Sequence, residues 1–189
     1  VKQAIRWMPM DKWDACAFPV QPDELKGRVC YGGLDLSSTT DITAFVLVFP
    51  PQDEADNYVV LPYFWIPEEN VSLRVRRDHV PYDVWQKQGF LHTTEGNVVH
   101  YGYIEKFIET MGEQYNIREI AFDRWGAVQM VQNLERMGFT VVPFGQGFKD
   151  MSPPTKELMK LTLEKKIAHG GQPVLSWMMD NIFIKSDPA

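Results

Sequence analysis

Apolar residues in the first half of this chain fall into three strand-like runs. Residues 28–36 and 42–50 flank the polar turn SSTTD and read as an antiparallel pair. Residues 57–66, NYVVLPYFWI, follow the loop PPQDEAD as a third strand and complete a meander. The periodicity then changes. From 101 to 115 the residues Tyr103, Ile104, Phe107, Ile108 and Met111 recur at helical spacing. IREIAFD predicts a strand ending at Asp123, AVQMVQNLERMG a helix closed by Gly138, and FTVVPFG another strand. SPPTKELMKLTLEKKIAH predicts a helix with Ser152 as N-cap and Gly170 as its stop. PVLSWMMDNIFIKSD closes the chain, partly helical and partly extended.

Two regions carry weaker patterns. Residues 1–25 read as an irregular arm, with Pro9, Pro19 and Pro22 breaking regular structure and Trp7, Trp13 and Phe18 pinning it to a surface. Between 67 and 100, PYDVWQKQGFL predicts a short helix with Pro81 near its first turn. There LHTTEGNVVHY predicts a small extended excursion and RVRRDH a loop. Three meandering strands followed by helix, strand, helix, strand, helix give an α/β chain. Its mixed sheet has three antiparallel strands, then parallel ones, flanked by helices.

One position breaks the first strand's pattern. Asp35 stands between Leu34 and Leu36, where an ionised carboxylate is costly without a compensating cation. If the fourth strand lies parallel beside the first, about 4.8 Å away, Asp35 and Asp123 become neighbours. Two such carboxylates repel unless one is protonated or a divalent cation lies between them. The plain alternatives are a strand-end turn residue for Asp35, an N-cap for Asp123 and a turn residue for Asp41.

Composition narrows the classes. The chain has 189 residues, 44% hydrophobic, enough for one sizeable core. A net charge of −6 argues against a generic DNA-coating protein, though not against an enzyme with a local basic patch. Cys16 and Cys30 have no CxxC partner, so zinc is not expected and reduced thiols are. The four histidines show no ligand spacing and are read as surface or loop residues, and Trp125 and Trp177 as core. No apolar run spans a membrane. No secretory signal is visible and no Met opens the chain, so a piece of a longer polypeptide is expected. No P-loop motif occurs either.

GLDLSSTTDITAF, AFDRWGA, SPPTKEL and HGGQPVLSWMMDNIFIKSDPA occur in that order. Together they resemble the nuclease domain of the large terminase subunit of tailed bacteriophages, from about Trp7 to Ala189. The resemblance implies a ribonuclease H-like fold and an endonuclease that cuts concatemeric double-stranded phage DNA during packaging. It implies two Mg²⁺ or Mn²⁺ ions held by Asp35 and Asp123, with Asp41 a further aspartate of the first motif. Residues 1–25 become the linker from an upstream ATPase domain of the same polypeptide, and residues 26–189 the nuclease domain without its C-terminal helix. The family's third acid lies on that helix, beyond Ala189. Neither Asp180 nor Asp187 matches it, so weak binding of a second ion and poor cutting are expected. Lys149, Lys156, Lys160 and Arg124 become candidate phosphate contacts, against the ordinary reading of a solvated helix face. The implied partners are the portal and the small terminase subunit, and the implied location is the cytoplasm of an infected bacterium. Rival readings are a docking module that has lost catalysis, and a resolvase- or transposase-like nuclease of the same fold class.

Overall fold

The computed structural model describes residues 6–37, 41–123 and 128–188. In chain order these form α1 (Met10–Asp14), β1 (Val29–Asp35), β2 (Thr43–Phe49), β3 (Tyr58–Pro67), α2 (Val71–Asp78) and α3 (Tyr82–Lys87). Next come β4 (His92–Thr94), α4 (Tyr101–Gln114), β5 (Asn116–Asp123), α5 (Val128–Arg136) and β6 (Val141–Phe144). The chain closes with α6 (Phe148–Leu163), β7 (Ile167–Ala168) and α7 (Pro173–Asp180). The strands form one sheet in the order β4-β3-β2-β1-β5-β6, with β7 on the far end of β3. β1, β2 and β3 are the expected antiparallel meander, while β5 lies parallel to β1 and β6 parallel to β5.

Alternation along the strands sends side chains to two cores. Leu34, Phe45, Leu47, Phe49, Trp65, Ile120 and Phe122 face α4 and α5, meeting Ile104, Ile108, Met130 and Leu134. Phe64 and Ile66 face the other way, onto Trp13, Tyr82, Trp85, Val174 and Leu175. Phe45, Leu47 and Phe49 are wholly buried, each worth roughly 1.5–3 kcal/mol relative to exposure. A sheet covered on both faces explains why its strands read as near-continuous apolar runs.

Several local expectations are corrected. α6 begins at Phe148, a turn before Ser152, so Gly147 and not Ser152 precedes it. Pro153 and Pro154 therefore lie inside the helix and not at its first turn, where proline is usual. Here the preceding turn is already closed by the Met151 N–H on the Gly147 carbonyl. α6 also stops at Leu163 rather than at Gly170. Lys165 adopts a left-handed φ of 55°, and the Lys166 N–H closes on the Leu161 carbonyl. This is a glycine-type terminus built on lysine, so composition did not mark it. The freed Ile167–Ala168 then pairs with Tyr58–Val59. Arg74 to Asp78 of RVRRDH lie on helix α2, not in a loop, with His79 as its left-handed cap.

The N-terminal arm contains α1, and Trp13 is buried to 1% exposure. Phe18, expected to pin the arm, is exposed. Trp13 donates its indole N–H to Ser176 Oγ at 3.1 Å and stacks on His169 at 4.2 Å between centroids. His169 is thus a core residue, not a surface one. Its Nε2 meets the Trp13 carbonyl at 2.6 Å, and its Nδ1 accepts the Gly171 N–H, which makes it the neutral Nε2–H tautomer. Burial lowers its pKa. Trp177 packs in the second core beside Tyr82 and Trp85, whereas Trp125 lies outside the described residues. Cys16 and Cys30 are buried free thiols, and burial pushes Cys30 up to about 12. Among the described residues no helix is long and apolar enough to cross a membrane.

Candidate active site

The pairing register fixes where the two singled-out aspartates stand. In the parallel β1–β5 ladder Gly33 pairs with Ala121 and Leu34 with Phe122. Asp35 and Asp123 come next on each strand, at the same level on the C-terminal edge of the sheet. Leu34 and Phe122 point into the α4–α5 core. Side chains alternate along a strand, so Asp35 and Asp123 point together to the opposite face. Both line an open cleft of about 310 Å³.

The cleft exists because that part of the sheet carries small residues. Gly33, Ala44 and Ala121 line its floor beside Val46, while Phe144, Gln146 and Met151 line its wall. A Cβ built on Gly33 would meet nothing within 4 Å. Sequence reasoning singled out the acids and missed this floor. The signal was present, since Gly33 and Ala121 lie two residues before Asp35 and Asp123 and therefore share their face. Gln146 sits between Gly145 and Gly147, and a side chain at Gly145 would collide with the Asp150 carboxylate.

Electrostatics at the cleft is that of crowded carboxylates. Asp35 is exposed at the end of β1, yet its pKa is raised, first by partial burial of the carboxyl, then by repulsion from Asp123 and from Asp41. Asp41 is exposed, and its N–H is held by the Ser37 hydroxyl at 3.1 Å. Among the described residues no cluster of three or more His, Cys, Asp or Glu stands at ion-holding distance. The donor set is therefore two carboxylates on one face with a third close enough to act through its charge. Carboxylate oxygen suits hard cations such as Mg²⁺ or Mn²⁺, and among the described residues neither His nor Cys lines the cleft to favour a softer one.

Lys149, Lys156 and Lys160 are exposed on α6. Their spacing of seven and four residues puts them in one stripe along the helix. Arg124 lies outside the described residues. Asp180 is engaged elsewhere, 2.8 Å from the Arg6 guanidinium.

A mixed sheet of this order, with acidic residues ending its two central parallel strands, defines a ribonuclease H-like nuclease fold. The large terminase nuclease of thermophilic phage G20c with bound magnesium shares it, with a TM-score of 0.58 at 11% identity over 95% of this chain and 82% of that one. The family model for the terminase large subunit endonuclease domain matches residues 2–189, and the chain belongs to that family. It is 36% identical over 182 residues to the large subunit terminase of Enterobacteria phage HK97, covering 94% of this chain and 34% of that protein. The crystal structure of the HK97 large terminase superposes with a TM-score of 0.81 at 34% identity, over 95% of this chain and 37% of that one. The chain thus spans about a third of the length of these HK97 relatives.

Proposed function

We propose that this domain is a metal-dependent endonuclease that cuts concatemeric double-stranded phage DNA during genome packaging, with Asp35 and Asp123 as its ion ligands. The observation that carries this reading is the shared face and level of the two carboxylates at the mouth of an open cleft. Partial burial is the first cause of the raised Asp35 pKa, and the repulsion from Asp123 that adds to it is what a divalent cation between them would relieve. A pair of such ions supplies Lewis-acid activation of water and charge neutralisation for the leaving oxygen in phosphodiester hydrolysis.

The chain's own residues do the rest. Asp35 and Asp123 fix the ligand oxygens on rigid central strands, and Asp41 adds negative charge beside them. Gly33, Ala44 and Ala121 leave room for a strand of DNA to approach. Lys149, Lys156 and Lys160 attract its phosphates along α6. By family resemblance, an ATPase domain of the same polypeptide, the portal and the small terminase subunit are partners, and the host cytoplasm is the place of action.

The test is plasmid nicking with Mn²⁺ or Mg²⁺. The domain nicks DNA with either ion, chelation stops it, and Asp35→Asn or Asp123→Asn lowers the rate by on the order of 10²–10³-fold while the fold persists. Nicking that survives both substitutions refutes the assignment.

A further inference from the structure

Thr43 opens β2 and is 0% exposed. Its hydroxyl makes two bonds to one residue, accepting the Ser37 N–H at 2.9 Å and donating to the Ser37 carbonyl at 3.0 Å. The Ser37 hydroxyl in turn accepts the Asp41 N–H at 3.1 Å. A buried anchor therefore reaches Asp41 through one intermediary. Ala44, the residue after Thr43, pairs with Asp35 across the sheet. The end of β1, the backbone of Asp41 and the start of β2 are thus tied together on the edge where the cleft opens.

We infer that Thr43 is a positioning residue for the ion site: through Ser37 it holds Asp41 at a fixed place beside Asp35 and so strengthens divalent-cation binding there. The inference rests on the metal reading of Asp35 and Asp123. Thr43 is suited to the task. A β-branched side chain is restricted at χ1, and burial with two bonds to the Ser37 backbone holds its hydroxyl in place before any ion arrives. A hydroxyl is also a side-chain group able to accept from an N–H and donate to a carbonyl at once. Valine keeps the shape of threonine and loses both bonds, whereas serine keeps both.

A brace that serves only the turn and a brace that aims Asp41 are told apart by the effect of removing them. Loss of a turn brace lowers the melting temperature and leaves ion affinity alone. Loss of a brace that aims Asp41 lowers ion affinity, and does so only while Asp41 is present. Calorimetric titration with Mn²⁺ in the absence of DNA separates them.

Thr43→Val is expected to weaken Mn²⁺ binding about 10-fold, the usual effect of removing a partner that orients an ion-site carboxylate. Thr43→Ser should bind as wild type does. Ser37→Ala, which leaves both Thr43 bonds to the backbone intact, should reproduce the loss even if the valine variant folds poorly. Asp41→Asn should weaken binding comparably, and adding Thr43→Val to it should cost nothing more, since both changes remove the same contribution. Wild-type affinity in folded Thr43→Val and in Ser37→Ala, or losses that add in the double variant, overturns the brace. The wild-type titration and its Asp35→Asn control read the metal site itself. Binding that Asp35→Asn abolishes and both brace variants keep would leave the ion site standing and remove only Thr43 from it. A wild-type domain that takes up no Mn²⁺ removes both.

Discussion

Gly32 and Gly33 are neighbours on β1 and face opposite sides of the sheet, one into a packed core and the other into open space. A Cβ on Gly32 would stand 3.0 Å from Phe45 Cε2 and 3.3 Å from Ile120 Cγ1, while one on Gly33 meets nothing within 4 Å. Neither requires a left-handed backbone. The two glycines are there for different reasons, close packing in one case and an empty cleft in the other.

The pair therefore gives a matched test. Gly32→Ala should destabilise the domain by roughly 1–3 kcal/mol through overpacking, visible in urea unfolding, while folded molecules keep their nicking rate. Gly33→Leu should fold with near-normal stability and lose nicking by on the order of 100-fold, because it obstructs the approach of DNA to Asp35. A Gly33→Leu domain that cuts normally would show that the substrate does not use this cleft.

Asp35 should cost stability for the sake of its position. Its folded pKa is raised, so its charged form is disfavoured on folding. For an acid shifted this way the penalty is full above the folded pKa, shrinks as pH falls through it, and vanishes below the ordinary carboxylate value of 3.8. Metal-free Asp35→Asn should accordingly melt higher than wild type at pH 7. The gain is about 2–4 °C for each kcal/mol relieved, tempered by the solvent exposure of the side chain. The two melting curves should converge near pH 4. A variant that melts lower at pH 7 would mean that Asp35 is held by attraction rather than disfavoured by burial and repulsion.

Lys149, Lys156 and Lys160 should act as phosphate contacts, without sequence preference. Replacing all three by alanine should lower DNA affinity uniformly across sequences and flatten its dependence on salt, by about 0.9 in log–log slope for each contact removed. An unchanged slope would return the stripe to a solvated helix face.

His169 makes the seat of the N-terminal arm sensitive to acid. It is neutral in the fold, and burial is the main cause of its lowered pKa. Stability should fall as pH drops below the ordinary histidine value of 6.5, where the unfolded chain takes up a proton that the folded one resists. The slope of unfolding free energy between pH 7 and 5 should shrink in His169→Gln. Trp13→Ala should cost roughly 3–5 kcal/mol, measured by chemical unfolding. Equal slopes with and without the imidazole would exclude it as the titrating group.

Much of this molecule was legible in the chain, and the reasons it was not elsewhere are specific. The meander and the parallel β5 came from runs of β-branched and aromatic residues ending in polar turns. Asp35 stood out because a charge inside an apolar run is costly. Its relation to Asp123 needed only the assumption that the first and fourth strands are adjacent. The end of α6 was hidden because Lys165 takes a backbone conformation that composition assigns to glycine. His169 lies in a loop as expected, but its burial was not foreseen because it depends on Trp13, a contact across 156 residues that no local pattern encodes. The cleft floor was missed because glycine and alanine in a strand look like an absence of signal, although here that absence makes the space.

Arg6 and Trp7, in the arm that carries Trp13, lie beside α7. The Arg6 guanidinium grips Asp180 at 2.8 Å, and the Trp7 N–H bonds to the Ile182 carbonyl at 3.2 Å. These two contacts clasp the arm to the end of α7, so that a pull at Arg6 would act on α7 as well as on the chain leading to β1. Tension applied through the arm would load the Trp7–Ile182 and Trp13–His169 contacts first and leave the spacing of Asp35 and Asp123 undisturbed until those contacts part.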